Sequence, residues 1–165
     1  MHSIVLVVYN VRSAHNVGSM LRTADSLGIS TVYLCGYTPY PLSSSDNRLP
    51  HLAAKTNRQI HKTALGAESS VIWHHQTDVK KTLGQLQAQG YKLVALEQTD
   101  KAIELSALRP VGKIALIVGS EIGGLPHTVL DLCDSHAYIP MSGEKESFNV
   151  AVAAAIALYH LKYLA

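Results

Sequence analysis

Short runs of β-branched and aliphatic residues alternate along this chain with longer stretches of mixed polarity. Ile4 to Tyr9, Thr31 to Cys35, Ser70 to Trp73, Lys92 to Glu97, Lys113 to Val118 and His136 to Ile139 have strand length. Several are apolar on both faces, as the strands of a buried parallel sheet are. Val17 to Leu27, Thr77 to Gln89 and Asn149 to Leu164 lie between or after them at helical length. Strands that alternate with crossover helices predict an α/β fold. Gly28 and Gly90 each follow a helical stretch, where a left-handed cap favours glycine. The segment Gly36 to Pro50, with Pro39, Pro41, Ser43, Ser44, Ser45 and Asp46, is the one long irregular stretch. The closing helix is apolar all round from Val150 to Leu158, so it must be covered on most sides, by its own subunit or by a second copy.

Composition narrows the picture. At 165 residues and 47% hydrophobic the chain suits one domain with a real core. Charged residues are 16% and the formal net charge is +2, so a polyanionic partner must be met by a local cationic patch. The histidines His2, His15, His51, His61, His74, His75, His127, His136 and His160 follow no metal-site spacing, and read as surface or core residues with no metal expected. Cys35 and Cys133 stand far apart and outside any C-x-x-C, which suits a reducing compartment and argues against a thiol nucleophile. The amino terminus has no basic lead and its apolar run is only strand-length, so a soluble cytoplasmic protein is expected.

Three segments carry polar groups of the kind that line a site. In the first, Asn10 to Asp25, Asn16 is placed to cap the following helix, Gly18 permits a close approach, and Arg22 is an exposed cation or an i+3 partner of Asp25. In the second, Gly119 to Pro126, the glycines lack both G-x-G-x-x-G and G-K-[ST] spacing and suit a tight turn after a strand. Glu121 within it needs a donor, an arginine or a backbone amide. In the third, Ser147 and Asn149 precede the apolar helix as candidate caps, after the loop Met141 to Glu146.

Together these segments resemble a known family. Asn16-x5-Arg22-Thr23-Ala24, Gly119-x-Glu121-x2-Gly124 and Ile139-Pro140-Met141-x-Gly143-x3-Ser147-x-Asn149-Val150 look like the three motifs of the SpoU/TrmH RNA ribose 2'-O-methyltransferases, in order and spacing, over essentially the whole chain. The resemblance implies a parallel-sheet α/β/α sandwich with a deep trefoil knot in its C-terminal half, S-adenosylmethionine as cofactor, tRNA or rRNA as partner, and a homodimer formed with the closing helix. It places the cofactor against Leu96, Gly119, Ile139, Met141 and Phe148, with Phe148 standing where the family usually has Leu. It assigns Asn16, Arg22, Glu121, Ser147 and Asn149 to the catalytic side; Glu121 and Asn16 are then expected to hold Arg22, and Arg12, Arg22 and Lys145, cations inside the motifs, to meet RNA. Arg48, Lys55, Arg58 and Lys62 either extend that track or are solvated surface.

The chain starts close to its first strand and ends with its last helix, so residues 1–165 are expected to form one methyltransferase domain without an added RNA-binding domain. Two other classes stay open. A Rossmann-like nucleotide enzyme would carry its glycine fingerprint after the first strand, and Asn10 to Asn16 holds no glycine. A catalytically silent RNA-binding scaffold would keep the fold without the polar set.

Overall fold

The structure, a computed structural model, describes residues 3–165. Met1 and His2, the latter one of the histidines read as surface or core, lie outside the described residues. The elements follow in the order β1 (Ser3–Tyr9), α1 (Ala14–Leu27), β2 (Thr31–Cys35), α2 (Pro50–Ala64), α3 (Ala67–Ser70), β3 (Trp73–Gln76), α4 (Val79–Ala88), β4 (Tyr91–Leu96), β5 (Ile103–Glu104), a 3-10 turn over Leu105–Ala107, β6 (Lys113–Val118), α5 (His127–Leu130), β7 (Ser135–Tyr138) and α6 (Val150–Tyr163). One seven-stranded sheet in the order β3-β2-β1-β6-β4-β7-β5 is parallel throughout.

The alternation of the strands explains the layers. Ile4, Leu6 and Val8 of β1, with Ile114, Leu116 and Val118 of β6, face the core shared with α1, α2 and α6. Val5 and Val7, with Ala115 and Ile117, face the opposite core against α4 and α5. A sheet covered on both faces needs strands that are apolar at every position, which is what β1 and β6 supply. The loops after β1, β4, β6 and β7 gather at the carboxyl ends of the strands.

Gly18 shows how closely α1 and α2 pack. A Cβ there would stand 2.2 Å from the Ile60 carbonyl and 2.2 Å from Thr63 Oγ1, so the helices meet at a contact only glycine allows. Gly28 adopts φ 60° as the left-handed cap of α1, donating to the Ala24 and Asp25 carbonyls. The exposed side of α6 carries Val152, Ile156, Tyr159 and Tyr163, at spacings of four, three and four, while Ala151, Ala154, Ala157, Leu158 and Leu161 are buried. The helix is therefore covered on one side only within the subunit.

Several elements differ from expectation. The third strand lies at Trp73–Gln76, not at Ser70 to Trp73, because α3 occupies Ala67–Ser70 and the edge strand reads as polar WHHQ. α2 starts at Pro50, at the end of the irregular segment, and few of its positions are apolar: only Ala53, Ile60 and Ala64 are buried. Asn16 is not the cap of α1; Ser13 is, accepting from the Asn16 backbone amide. Among the described residues Asp25 pairs with no arginine but accepts from Ser70 Oγ at 2.6 Å. Arg48, read as either part of a cationic track or solvated surface, is instead bound to Asp46 and to the Tyr40 and Pro41 carbonyls and lies over the Tyr40 ring.

Candidate active site

The site is built where three loops meet at the carboxyl edge of the sheet. α1 begins directly after β1, and its cap leaves the amides of Arg12 and Ser13 free to point outward. Glu121, in the loop after β6, takes both: its Oε2 accepts from the Arg12 amide at 3.0 Å and its Oε1 from the Ser13 amide at 3.2 Å. A carboxylate at the start of a helix meets unsatisfied amides and the positive end of the helix dipole. Asn16, in the first turn, donates from Nδ2 to Glu121 Oε1 at 2.9 Å. Its Oδ1 accepts from Asn149 Nδ2 at 3.1 Å, and Asn149 Oδ1 in turn caps α6 through the amides of Ala151 and Val152. One chain of hydrogen bonds thus ties the start of α1, the loop after β6 and the start of α6.

This chain explains the state of Glu121. Burial on its own would raise the carboxyl, but the amides of Arg12 and of Glu121 itself, the Asn16 side chain and the Ser13 amide outweigh it and hold the group below the ordinary carboxylate range. Glu121 is therefore ionised at neutral pH and fully engaged as an acceptor, which makes it a positioning residue rather than a proton donor. A lowered folded-state value stabilises the fold above the unfolded value, near pH 4, and that stability is lost as pH falls through the lowered one. Glu121→Gln should melt about 2 to 4 °C below the unsubstituted chain at pH 7, a loss of about 1 kcal/mol. The two should converge in acid; equal melting temperatures at pH 7 would contradict this role.

Beside the chain lies a cavity of about 620 Å³, a size typical of small-molecule sites. Leu96, Gly119, Ile139, Met141 and Phe148 all line it, as do Glu121, Ser147 and Asn149. Asn16 borders it through its bonds to Glu121 and Asn149. The loop over β6 is closed by a bridge between Ser120 and Gly124, with amide to carbonyl distances of 3.0 and 3.3 Å. At Gly119 a Cβ would come within 2.5 Å of the Gly124 carbonyl carbon, so the turn can close only over a glycine.

Arg22 is the exception. It is exposed, does not line the cavity and, among the described residues, has no hydrogen-bond or ion-pair partner. Glu121 and Asn16 do not hold it, because their polar atoms are spent on the first turn of α1 and on Asn149. Arg12 and Lys145 are exposed at the rim.

Glu97 and Gln98 are cavity residues that the motifs do not reveal. Glu97 accepts from the Leu125 amide at 2.9 Å and the Gln98 amide at 3.1 Å, and so anchors the loop after β6 to the end of β4. Their signal was positional: the first polar residues after an apolar strand sit at the carboxyl edge, where α/β sheets bind ligands. Among the described residues no group of three or more His, Cys, Asp or Glu is arranged to hold a metal, and no helix is long and apolar enough to cross a membrane. Burial pushes the Cys35 thiol up to about 11 and the Cys133 thiol up to about 12, so neither is poised as a nucleophile.

A parallel seven-stranded sheet with a ligand-sized cavity at its strand ends, bordered by a Glu-Asn-Asn chain, defines an α/β protein with a cavity where such sheets bind ligands. The model of the SpoU rRNA Methylase family matches residues 3–159, and the chain belongs to that family. It is 31% identical over 158 residues to the 23S rRNA (guanosine-2'-O-)-methyltransferase RlmB of Acinetobacter baylyi, covering 95% of this chain and 58% of that protein. The chain spans somewhat more than half the length of the curated relatives it matches. Its fold is that of the AdoMet-bound rRNA methyltransferase of Sinorhizobium meliloti, with a TM-score of 0.79 at 22% identity over 98% of this chain and 57% of that one. It is also similar, with a TM-score of 0.76 and 25% identity over 97% of this chain and 94% of the other, to a protein solved for the 2'-OH methylation of C/U34 on tRNA.

Proposed function

We propose that this protein is an S-adenosylmethionine-dependent RNA methyltransferase that acts on a ribose 2'-hydroxyl of tRNA or rRNA, as one cytoplasmic domain that pairs into a homodimer. The observation that carries this is the charge of the cavity wall. Among the described residues Glu97, Glu121 and Glu146 line it and no lysine or arginine does, while Leu96, Ile139 and Phe148 supply an apolar side. Such a wall suits a purine attached to a cationic sulfonium and repels a nucleotide polyphosphate, which disfavours the Rossmann-like alternative. S-adenosylmethionine, when bound there, supplies the methyl group.

The chain's own residues provide the rest. Transfer forms the bond from the ribose oxygen to the methyl carbon and breaks the bond from that carbon to sulfur, so the hydroxyl proton must leave. Arg22, unpaired and exposed, is available to an RNA phosphate; there it orients the nucleotide and stabilises the developing alkoxide, while the proton passes to that phosphate or to water. Glu121, Asn16 and Asn149 hold the rim, with Ser147 beside them. Arg12 and Lys145 meet the RNA backbone.

The homodimer is supported by the exposed apolar row of α6, where Val152 is 47%, Tyr159 52% and Tyr163 57% accessible. A groove of about 520 Å³, lined by Leu105, Ile139, Pro140, Ile156 and Tyr159 among others, continues that row. Since Ile139 lines both groove and cavity, pairing there would bring a second copy, and its Arg22, toward the site. The reading keeps the knotted C-terminal path that the family resemblance implies. Transfer of tritiated methyl groups to total tRNA against total rRNA tests the activity; labelling of one class is expected, with the label in a 2'-O-methylated nucleoside. Labelled bases, or no labelled RNA, would overturn it.

A further inference from the structure

We infer that one face of α2 is a phosphate-binding ridge that holds the RNA substrate outside the target nucleotide; this rests on the RNA methyltransferase reading above. His51, Lys55, Arg58 and Lys62 recur at spacings of four, three and four, within about 60° of one another around a helix with 3.6 residues per turn. All four are exposed, and they lie opposite the buried Ala53, Ile60 and Ala64. Pro50–Ala64 contains no aspartate or glutamate.

The acids flanking the helix are already occupied. Asp46 is bound to Arg48, which holds its carboxyl well below the usual range, and Glu68 is bound to His61 at 2.5 Å and to the Gly66 amide. Lys55, Arg58 and Lys62 are left without hydrogen-bond or ion-pair partners among the described residues. A row of unpaired cations on a chain of net charge +2 is a concentrated, local field.

The ridge also stands at the right edge of the molecule. The end of α2 abuts the start of α1: Thr63 Oγ1 donates to the His15 carbonyl at 2.7 Å, and the Ile60 carbonyl and Thr63 Oγ1 stand against Gly18. Lys62, next to Thr63 in the chain, therefore lies close to the first turn of α1, the turn that grips Glu121, and Arg58 and Lys55 follow along the same face of α2 at about 1.5 Å of rise per residue. The preceding loop is fixed in place: Tyr40 stacks on His75 with ring centroids 3.9 Å apart, Arg48 lies 3.6 Å above the Tyr40 ring, and Leu42 donates to Asn57 of α2. A firmly mounted helix whose end abuts the site-forming turn of α1, and which carries unpaired cations, suits a polyanion that must reach that site, and RNA is the one the reading supplies.

The test compares Lys55→Gln/Arg58→Gln with Lys80→Gln/Lys81→Gln, an equal charge loss on exposed positions of α4 across the sheet. Binding of bulk tRNA and of protein-free rRNA is followed by filter retention across a salt series, with cofactor affinity by calorimetry in each variant. The α2 pair is expected to flatten the slope of log affinity against log salt by about 1.4 to 1.8, from 0.7 to 0.9 per phosphate contact. The α4 pair should leave that slope unchanged, and both should bind S-adenosylmethionine normally. Equal slopes for the two pairs, or a wild-type chain that binds neither RNA, would overturn the ridge. Loss of wild-type cofactor binding would instead overturn the methyltransferase reading, which separates the two failures.

Discussion

Arg22→Ala is expected to lower methyl transfer to RNA by about 10²- to 10³-fold, the usual cost of removing one group that stabilises charge in the transition state. The same variant should bind S-adenosylmethionine as well as the unsubstituted chain, because Arg22 lines no part of the cavity. It should also fold normally, since the side chain is exposed and gives up no internal partner. The split between a lost rate and an intact cofactor site is the informative outcome. Single-turnover transfer from tritiated cofactor, with calorimetry on the same preparation, measures both. Turnover near the unsubstituted rate would remove Arg22 from the chemistry.

Gly119→Ala should do the reverse and remove the cofactor site first. The added Cβ meets backbone at 2.5 Å and 2.6 Å on Gly124 and at 2.8 Å on Leu125, and backbone cannot swing aside as a side chain does. The Ser120 to Gly124 bridge must open, which displaces Glu121 from the amides of Arg12 and Ser13 and loosens the rim. A forced fit of this kind costs about 1 to 3 kcal/mol. If the loop bears that cost while the fold survives, cofactor affinity should fall about 10- to 100-fold, at 1.4 kcal/mol per tenfold. A Gly119→Ala chain with full affinity would show that the loop closes in another way.

The sequence and the structure agree best where burial is symmetrical. β1, β2, β4 and β6 lie within a residue of their expected limits, because strands covered on both faces are mostly apolar and stand out from their surroundings; β7, Ser135–Tyr138, also lies within a residue of its expected limits, though only Ala137 of it is buried. β3 was displaced because it is an edge strand: Trp73–Gln76 is largely polar, and the apolar Val71 and Ile72 just before it drew the expectation forward. α2 was hidden for the opposite reason. Its buried side consists of two alanines and one isoleucine, and it opens on a leucine and a proline without a polar cap, so neither a run of large apolar residues nor a capping residue announced it.

The candidate site was legible to the extent that its residues are fixed by local chemistry. Asn149 caps α6 as its position before an apolar helix implied, and Glu121 found the backbone amides that a carboxylate in a tight loop requires. The partners of those groups could not be read, because Asn16 and Asn149 are joined across 133 residues of chain by packing alone. That is why Asn16 was expected as a cap and to hold Arg22, when its side chain instead bridges two loops. Among the described residues Arg22 has no partner to read.

The central claim is that the cavity between the ends of β4, β6 and β7 is a cofactor site for S-adenosylmethionine. Titration calorimetry with the cofactor tests it directly, with adenosine triphosphate as the comparison ligand. Saturable binding of S-adenosylmethionine is expected, abolished or sharply weakened in Gly119→Ala, with no binding of the triphosphate to a wall that carries three glutamates and no cation. No heat with millimolar S-adenosylmethionine, or tighter binding of the triphosphate, would contradict it.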